Sequence, residues 1–183
     1  SGLLGMLSML KPYMVDIGFS IKKIAFISGI FVTGMGVCCA LLAGLALKKW
    51  GQKKSLIRIA IFNLLAPAFF YIFHTQSLPE NWIYLGVILL WGGYGMASTF
   101  IFTVCMNAVR KGREGTDYSI QIVITHISGI FLAIMSGKIG DAFGFEGLFG
   151  IEFIVGLLVL FLAPRLFHDP NIETEDERDT AKI

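Results

Sequence analysis

Polar side chains are few in the apolar stretches of this chain, and they recur at helical spacing. Thr99, Thr103 and Asn107 fall every fourth residue, so a helix sets them on one face. Tyr118, Gln121, Thr125 and Ser128 make a second such face, with His126 beside it. Hydroxyls and amides of this kind suit a polar or amphiphilic solute, and imidazole exchanges a proton near neutral pH. His126 stands eight residues into its stretch, roughly 12 Å along a helix axis. At that depth in a bilayer an ionisable group is a candidate for proton coupling. The same residues have structural uses: Thr and Ser bond the carbonyl of the preceding turn, and a neutral His bonds a neighbouring helix. Glu152 is the alternative proton carrier, but its place near the end of an outer helix leads to the expectation that it, like Lys138, snorkels to the headgroups.

An intramembrane enzyme would need a clustered nucleophile–base pair or a set of metal ligands. His74 and His168 fall in loops, and no paired carboxylates occur inside the apolar stretches. Cys38, Cys39 and Cys105 have neither metal nor disulfide spacing and are read as small packing residues. No catalytic residue, metal or cofactor is expected. The glycines at 92, 93 and 95 lack the strand–loop–helix setting of a nucleotide-binding loop, and allow close packing or a bend instead.

The elements that hold these residues are long and apolar on all sides. Five stretches, about 24–47, 55–73, 82–108, 118–140 and 147–164, each match the ~20 residues a helix needs to cross a bilayer core. Hydrophobic residues make up 55% of the chain and the mean hydropathy is +0.73, well above a soluble domain's balance. The basic residues sit at helix ends rather than on one face, which excludes a nucleic-acid partner and leaves the lipid bilayer as the surrounding medium. Residues 1–14 read as the tail of a helix whose start is missing, giving six helices with the first truncated. Residues 167–183 form a polar, acidic tail expected to be disordered.

Loop charge sets an orientation. Lys48, Lys49, Lys53 and Lys54 follow the first full span, and Arg110, Lys111 and Arg113 follow the third. The loops 74–81 and 141–146 have no Lys or Arg. Positive loops stay in the cytoplasm, so 48–54, 109–117 and the C-terminus are expected there; Lys22 and Lys23 count mildly against it.

Gly36, Ala40 and Gly44 repeat every fourth residue, and Gly129, Ala133 and Gly137 do the same 93 residues later. Small residues at this spacing let helices approach closely. Gly51 and Gly144 keep the same offset, in loops predicted on opposite sides of the membrane. The pattern predicts an inverted repeat of three plus three helices, as in many secondary transporters.

The segment from Gly44 to Leu56, with Lys48, Lys49, Gly51 and Lys53, resembles the loop signature G-x-L-A-D-R-x-G-R-K-x-x-L of the major facilitator superfamily. Lys48 stands where the signature has Asp, and Gln52 where it has Arg. Gly137, Asp141 and Gly144 form a weaker echo. Gly115-Thr-Asp117-Tyr with Gln121, and the segment from Lys11 to Ser20, are similar to the AmpG-like branch, closest to permeases for ferric siderophores of the rhizobactin and pyochelin type.

The resemblance covers roughly residues 1–166 and implies the C-terminal half of a twelve-helix transporter. It implies as partners an N-terminal six-helix half and a small-molecule solute, and as location a bacterial inner membrane. Transport would be proton-coupled symport by alternating access, of a ferric siderophore or alternatively a muropeptide. A membrane anchor that moves nothing is the remaining alternative. The partial helix and the first, third and fourth full spans would line the central cavity, and the second and fifth would face lipid.

Overall fold

The computed structural model describes residues 3–76 and 79–166, and every regular element among them is helical. α1 spans Leu3–Asp16 and α2 spans Ile21–Phe26. A π-helical turn, Ile27–Phe31, joins α2 without interruption to α3, Val32–Thr75. A 3₁₀ turn, Glu80–Trp82, leads into α4, Ile83–Asn107, and α5 runs Glu114–Leu166. The stretches Ile21–Thr75, Glu80–Asn107 and Glu114–Leu166 are each long and apolar enough to cross a membrane. In hydrocarbon a helix satisfies its own backbone hydrogen bonds, which is why apolar runs of this length take no other form. The tail expected at 167–183, with His168, lies outside the described residues, as do residues 1–2.

The loops expected at 48–54 and 141–146 shrink to single residues. α3 breaks at Gly51 (φ 74°, ψ 173°) and α5 at Gly144 (φ 69°, ψ −176°). Only glycine adopts this conformation readily. At each break the chain folds back on itself. Ser55 Oγ donates to the Ala46 carbonyl at 3.2 Å, atoms that a straight helix would hold ~13 Å apart. Beyond the other break, Ser136 Oγ donates to Glu152 Oε1 at 2.9 Å. Each long helix therefore has two limbs, and the two breaks keep the 93-residue offset of the sequence repeat.

α1 is two-faced. Leu3, Met6, Leu10, Tyr13 and Met14 are buried in the main core, against Phe70 and Phe73 of α3, Ile83 and Leu90 of α4, and Leu148 and Phe149 of α5. Tyr13 anchors this core: its ring meets Phe145, Phe149 and Phe70 edge-on at 4.9, 5.3 and 6.1 Å. Such pairs contribute about 0.5–1.5 kcal/mol each beyond area burial. Its hydroxyl lies 3.5 Å from His74 Nδ1, so His74, expected to stand free in a loop, caps the aromatic cluster from the end of α3. The second limbs of α3 and α5, expected to face lipid, each give one face to this core.

Candidate solute cavity

Glycines decide how α4 sits. A Cβ on Gly95 would lie 2.8 Å from the Gly36 carbonyl oxygen, and one on Gly92 would lie 3.0 Å from Cys39 Sγ. On the opposite side, a Cβ on Gly86 would meet the Phe70 ring at 2.9 Å. Both limbs of α3 thus press against α4 where it has no side chain. The first limb of α5 meets α1 in the same way, with Gly129 against Leu4 at 2.8 Å and Gly137 against Met9 at 3.5 Å for a Cβ placed on each glycine. Gly129 is thus a close-approach position, whereas its partner in the sequence repeat, Gly36, has open space where a side chain would go and meets α4 through its carbonyl oxygen. Gly44 has open space beside it.

These approaches leave a cavity of 560 Å³ between α1, α4 and the first limb of α5. Ser8 and Lys11 of α1, Trp91, Tyr94 and Ser98 of α4, and Thr125 and His126 of α5 give its polar wall; Leu4, Gly129 and Ala133 are among the rest. Trp91 and Tyr94 stack edge to face at 5.8 Å. The buried Trp91 indole N–H has no hydrogen-bond partner. The wall has the Lys11 ammonium and the Tyr94 and Ser98 hydroxyls as donors and no carboxylate, while Ser8 and Thr125 donate to the Gly5 and Gln121 carbonyls of their own helices. It suits a solute that presents oxygen acceptors.

Of the residues singled out from sequence, Thr125 and His126 line this cavity, and Thr99, Thr103, Asn107, Tyr118 and Gln121 are outside its wall. Thr99 Oγ1 donates to the Gly95 carbonyl at 3.0 Å, Thr103 to Thr99 at 2.8 Å and Thr125 to Gln121 at 2.9 Å. The hydroxyls turn back onto their own helix. Asn107 is the last residue of α4 and is exposed. The face that α4 presents is Trp91, Tyr94 and Ser98, rotated by one residue from the Thr stripe. Its spacing of three and four was legible in the sequence; with the helix apolar all round, nothing there ranked one face over the other.

Glu152 departs most from expectation. It does not snorkel: it is 8% exposed, bonded to Ser136, and packed where Gly5 of α1 leaves room. Lys138 is exposed.

The charged loops are built from specific contacts. Asp117, buried at the start of α5, accepts from Arg110 Nε at 2.8 Å, Nη2 at 2.7 Å and the backbone N–H at 3.1 Å. This loop, 109–117, precedes the apolar stretch that begins at Tyr118, and the guanidinium holds the Asp117 carboxyl down at about 2. Gly112 (φ 82°) turns the loop, and its N–H donates to Glu114 at 2.8 Å. At the other basic end Lys48, Lys49 and Lys53 are exposed, and the Arg58 guanidinium lies 3.7 Å over the Trp50 ring. Asp141 is exposed beside the Gly144 break. Lys23 of α2 pairs with Glu80 at 3.1 Å.

A family model described as Major Facilitator Superfamily matches residues 5–183. No solved structure matches the chain.

Proposed function

Because this chain belongs to the Major Facilitator Superfamily, a family of transporters, and is an integral multi-pass membrane protein, we propose that it forms a six-helix half of a solute permease. The Gly51 and Gly144 breaks divide α3 and α5 into two spans each. Counted with α1 and α4, these limbs supply the three plus three that an inverted repeat would need, the architecture on which alternating access operates in many secondary transporters. The observation that supports solute binding is the 560 Å³ cavity, whose wall includes Lys11, His126 and Trp91, the last with an unpaired N–H. It is walled by three helices on one side of the bundle.

The partner is a second six-helix half. The first limbs of α3 and α5 expose Val37, Leu41, Leu42 and Leu45, and Ile120, Ile124, Ile127, Phe131 and Ile134. Apolar faces of that length accept either lipid or another bundle. Proton-coupled uptake of a ferric siderophore across a bacterial inner membrane, with the C-terminus in the cytoplasm, is the favoured activity. The branch-like residues Gly115 to Tyr118 and the acceptor-seeking cavity support it.

The test is uptake of labelled ferric siderophore by cells producing the full-length protein and lacking their own inner-membrane siderophore importers. Accumulation that collapses with a protonophore is the expected result. No accumulation across several siderophores, with uptake of a labelled muropeptide instead, would transfer the assignment to that solute.

A further inference from the structure

The second cavity, of 190 Å³, meets α1 at Leu3 and Met6, shares Ala97 and Ile101 of α4 with the solute cavity, and is lined almost wholly by apolar side chains of α1, α3, α4 and the second limb of α5. Three oxygen acceptors interrupt that wall. Glu152 presents its carboxyl, with one donor, Ser136. Asn63 presents a side-chain oxygen that is buried and has no donor. Pro67, one turn on, has no N–H and so leaves the Asn63 backbone carbonyl without its intrahelical donor. A proton on Glu152 spares a bare charge in an apolar wall that holds no cationic side chain.

The sequence repeat shows that packing does not require this polarity. Moving back 93 residues from Ser136 and Glu152 reaches Ala43 and Ile59, 1% and 7% exposed. The equivalent positions in the other half of the repeat are thus buried and apolar. A buried ionisable group on a membrane helix that the fold does not need is a functional group.

Among the described residues, Glu152 is the one titratable side chain in the cavity wall. On α1, Lys11 lines the solute cavity and Asp16 is exposed; on α5, Lys138 is exposed. On α3, Arg58 stacks on Trp50 and His74 lies against Tyr13, and α4 has no Asp, Glu, Lys, Arg or His.

We propose that Glu152, held by Ser136 in the cavity wall to which Asn63 also belongs, is the site that binds and releases the coupling proton, at the junction of α1 with the two limbs of α5. Gly5 brings α1 against this pair so closely that a side chain there would displace it. A change in the Ser136–Glu152 contact is therefore felt directly by α1, whose other face lines the solute cavity. This assignment rests on the transporter function proposed above.

An infrared titration of the full-length protein in liposomes tests the site without any solute. The expected result is a carboxylic C=O band that is lost as the pH is raised, is missing in Glu152→Gln, and is displaced along the pH axis in Ser136→Ala. A spectrum unchanged by Glu152→Gln, or a band that follows sodium concentration and not pH, would overturn the proposal. Should Glu152→Gln fail to fold, Ser136→Ala decides: a titration identical to that of the parent protein overturns it. In the siderophore uptake assay, Glu152→Gln is expected to lose at least tenfold of the protonophore-sensitive accumulation, and wild-type accumulation in this variant would overturn the coupling role. Should no solute be taken up by the parent protein, the transport assignment fails while the infrared result still decides the proton site.

Discussion

Ser136 and Glu152 stand 16 residues apart in one continuously assigned helix, yet the serine hydroxyl donates to the carboxylate at 2.9 Å. A straight helix would separate them by about 24 Å. The contact exists because α5 reverses at Gly144, eight residues from each. A single residue with a glycine-only conformation thus brings a buried acid to its donor.

Gly144→Ala and Gly51→Ala should each lower stability by about 1–3 kcal/mol, the usual strain of holding a side chain in that backbone region. Thermal unfolding of the detergent-purified full-length protein measures it. Gly140→Ala, in a helical stretch with open space beside it, is the control and should melt within a degree or two of the parent protein. Equal melting temperatures for all three would contradict the hairpin geometry.

Gly95→Ala places a methyl group against the Gly36 carbonyl oxygen and forces α4 away from α3. Overpacking of this kind destabilises by about 1–3 kcal/mol. Gly44→Ala, on the same small-residue stripe as Gly36 but facing open space, should be tolerated. A melting series over the two variants distinguishes them, and a larger loss for Gly44→Ala would count against the packing described.

Asp117→Asn removes the charge that Arg110 grips with two nitrogens and a backbone N–H. Hydrogen exchange at residues 109–113 should accelerate, with the rest of α5 unchanged. Because the folded carboxyl lies at about 2, below its usual 3.8, the contribution of this latch is complete above about pH 4. It fades as the pH falls through 2. Unaltered exchange in the variant would show that the loop is held by other contacts.

Trp91→Phe keeps the ring and deletes the unpaired N–H. If that donor meets the solute, one lost hydrogen bond of about 1–1.5 kcal/mol raises the KM for uptake roughly five- to tenfold. Thr103→Val, whose hydroxyl is spent on the Thr99 carbonyl, should change KM less than twofold. The reverse order would return the solute face of α4 to the Thr99–Thr103–Asn107 stripe.

The amino-acid sequence determined that this chain is all-helical, that it enters a membrane, and where its reversals fall. Apolar runs of bilayer length leave the backbone no other partner than itself, and the glycines at 51 and 144 mark the two breaks. Charge at the loop ends was equally legible. Only the tertiary structure decided which way each helix faces. A helix that is apolar all round has no preferred rotation, and neighbouring residues on it point ~100° apart, so a turn of one residue exchanges Thr99 for Ser98 in the cavity wall. That rotation was fixed by contacts distant in sequence, Gly95 on Gly36 and Gly86 on Phe70. The same holds for Glu152, near the expected membrane surface by position but enclosed by Gly5 of α1 and Ser136 of the preceding limb, neither of which its own helix could disclose.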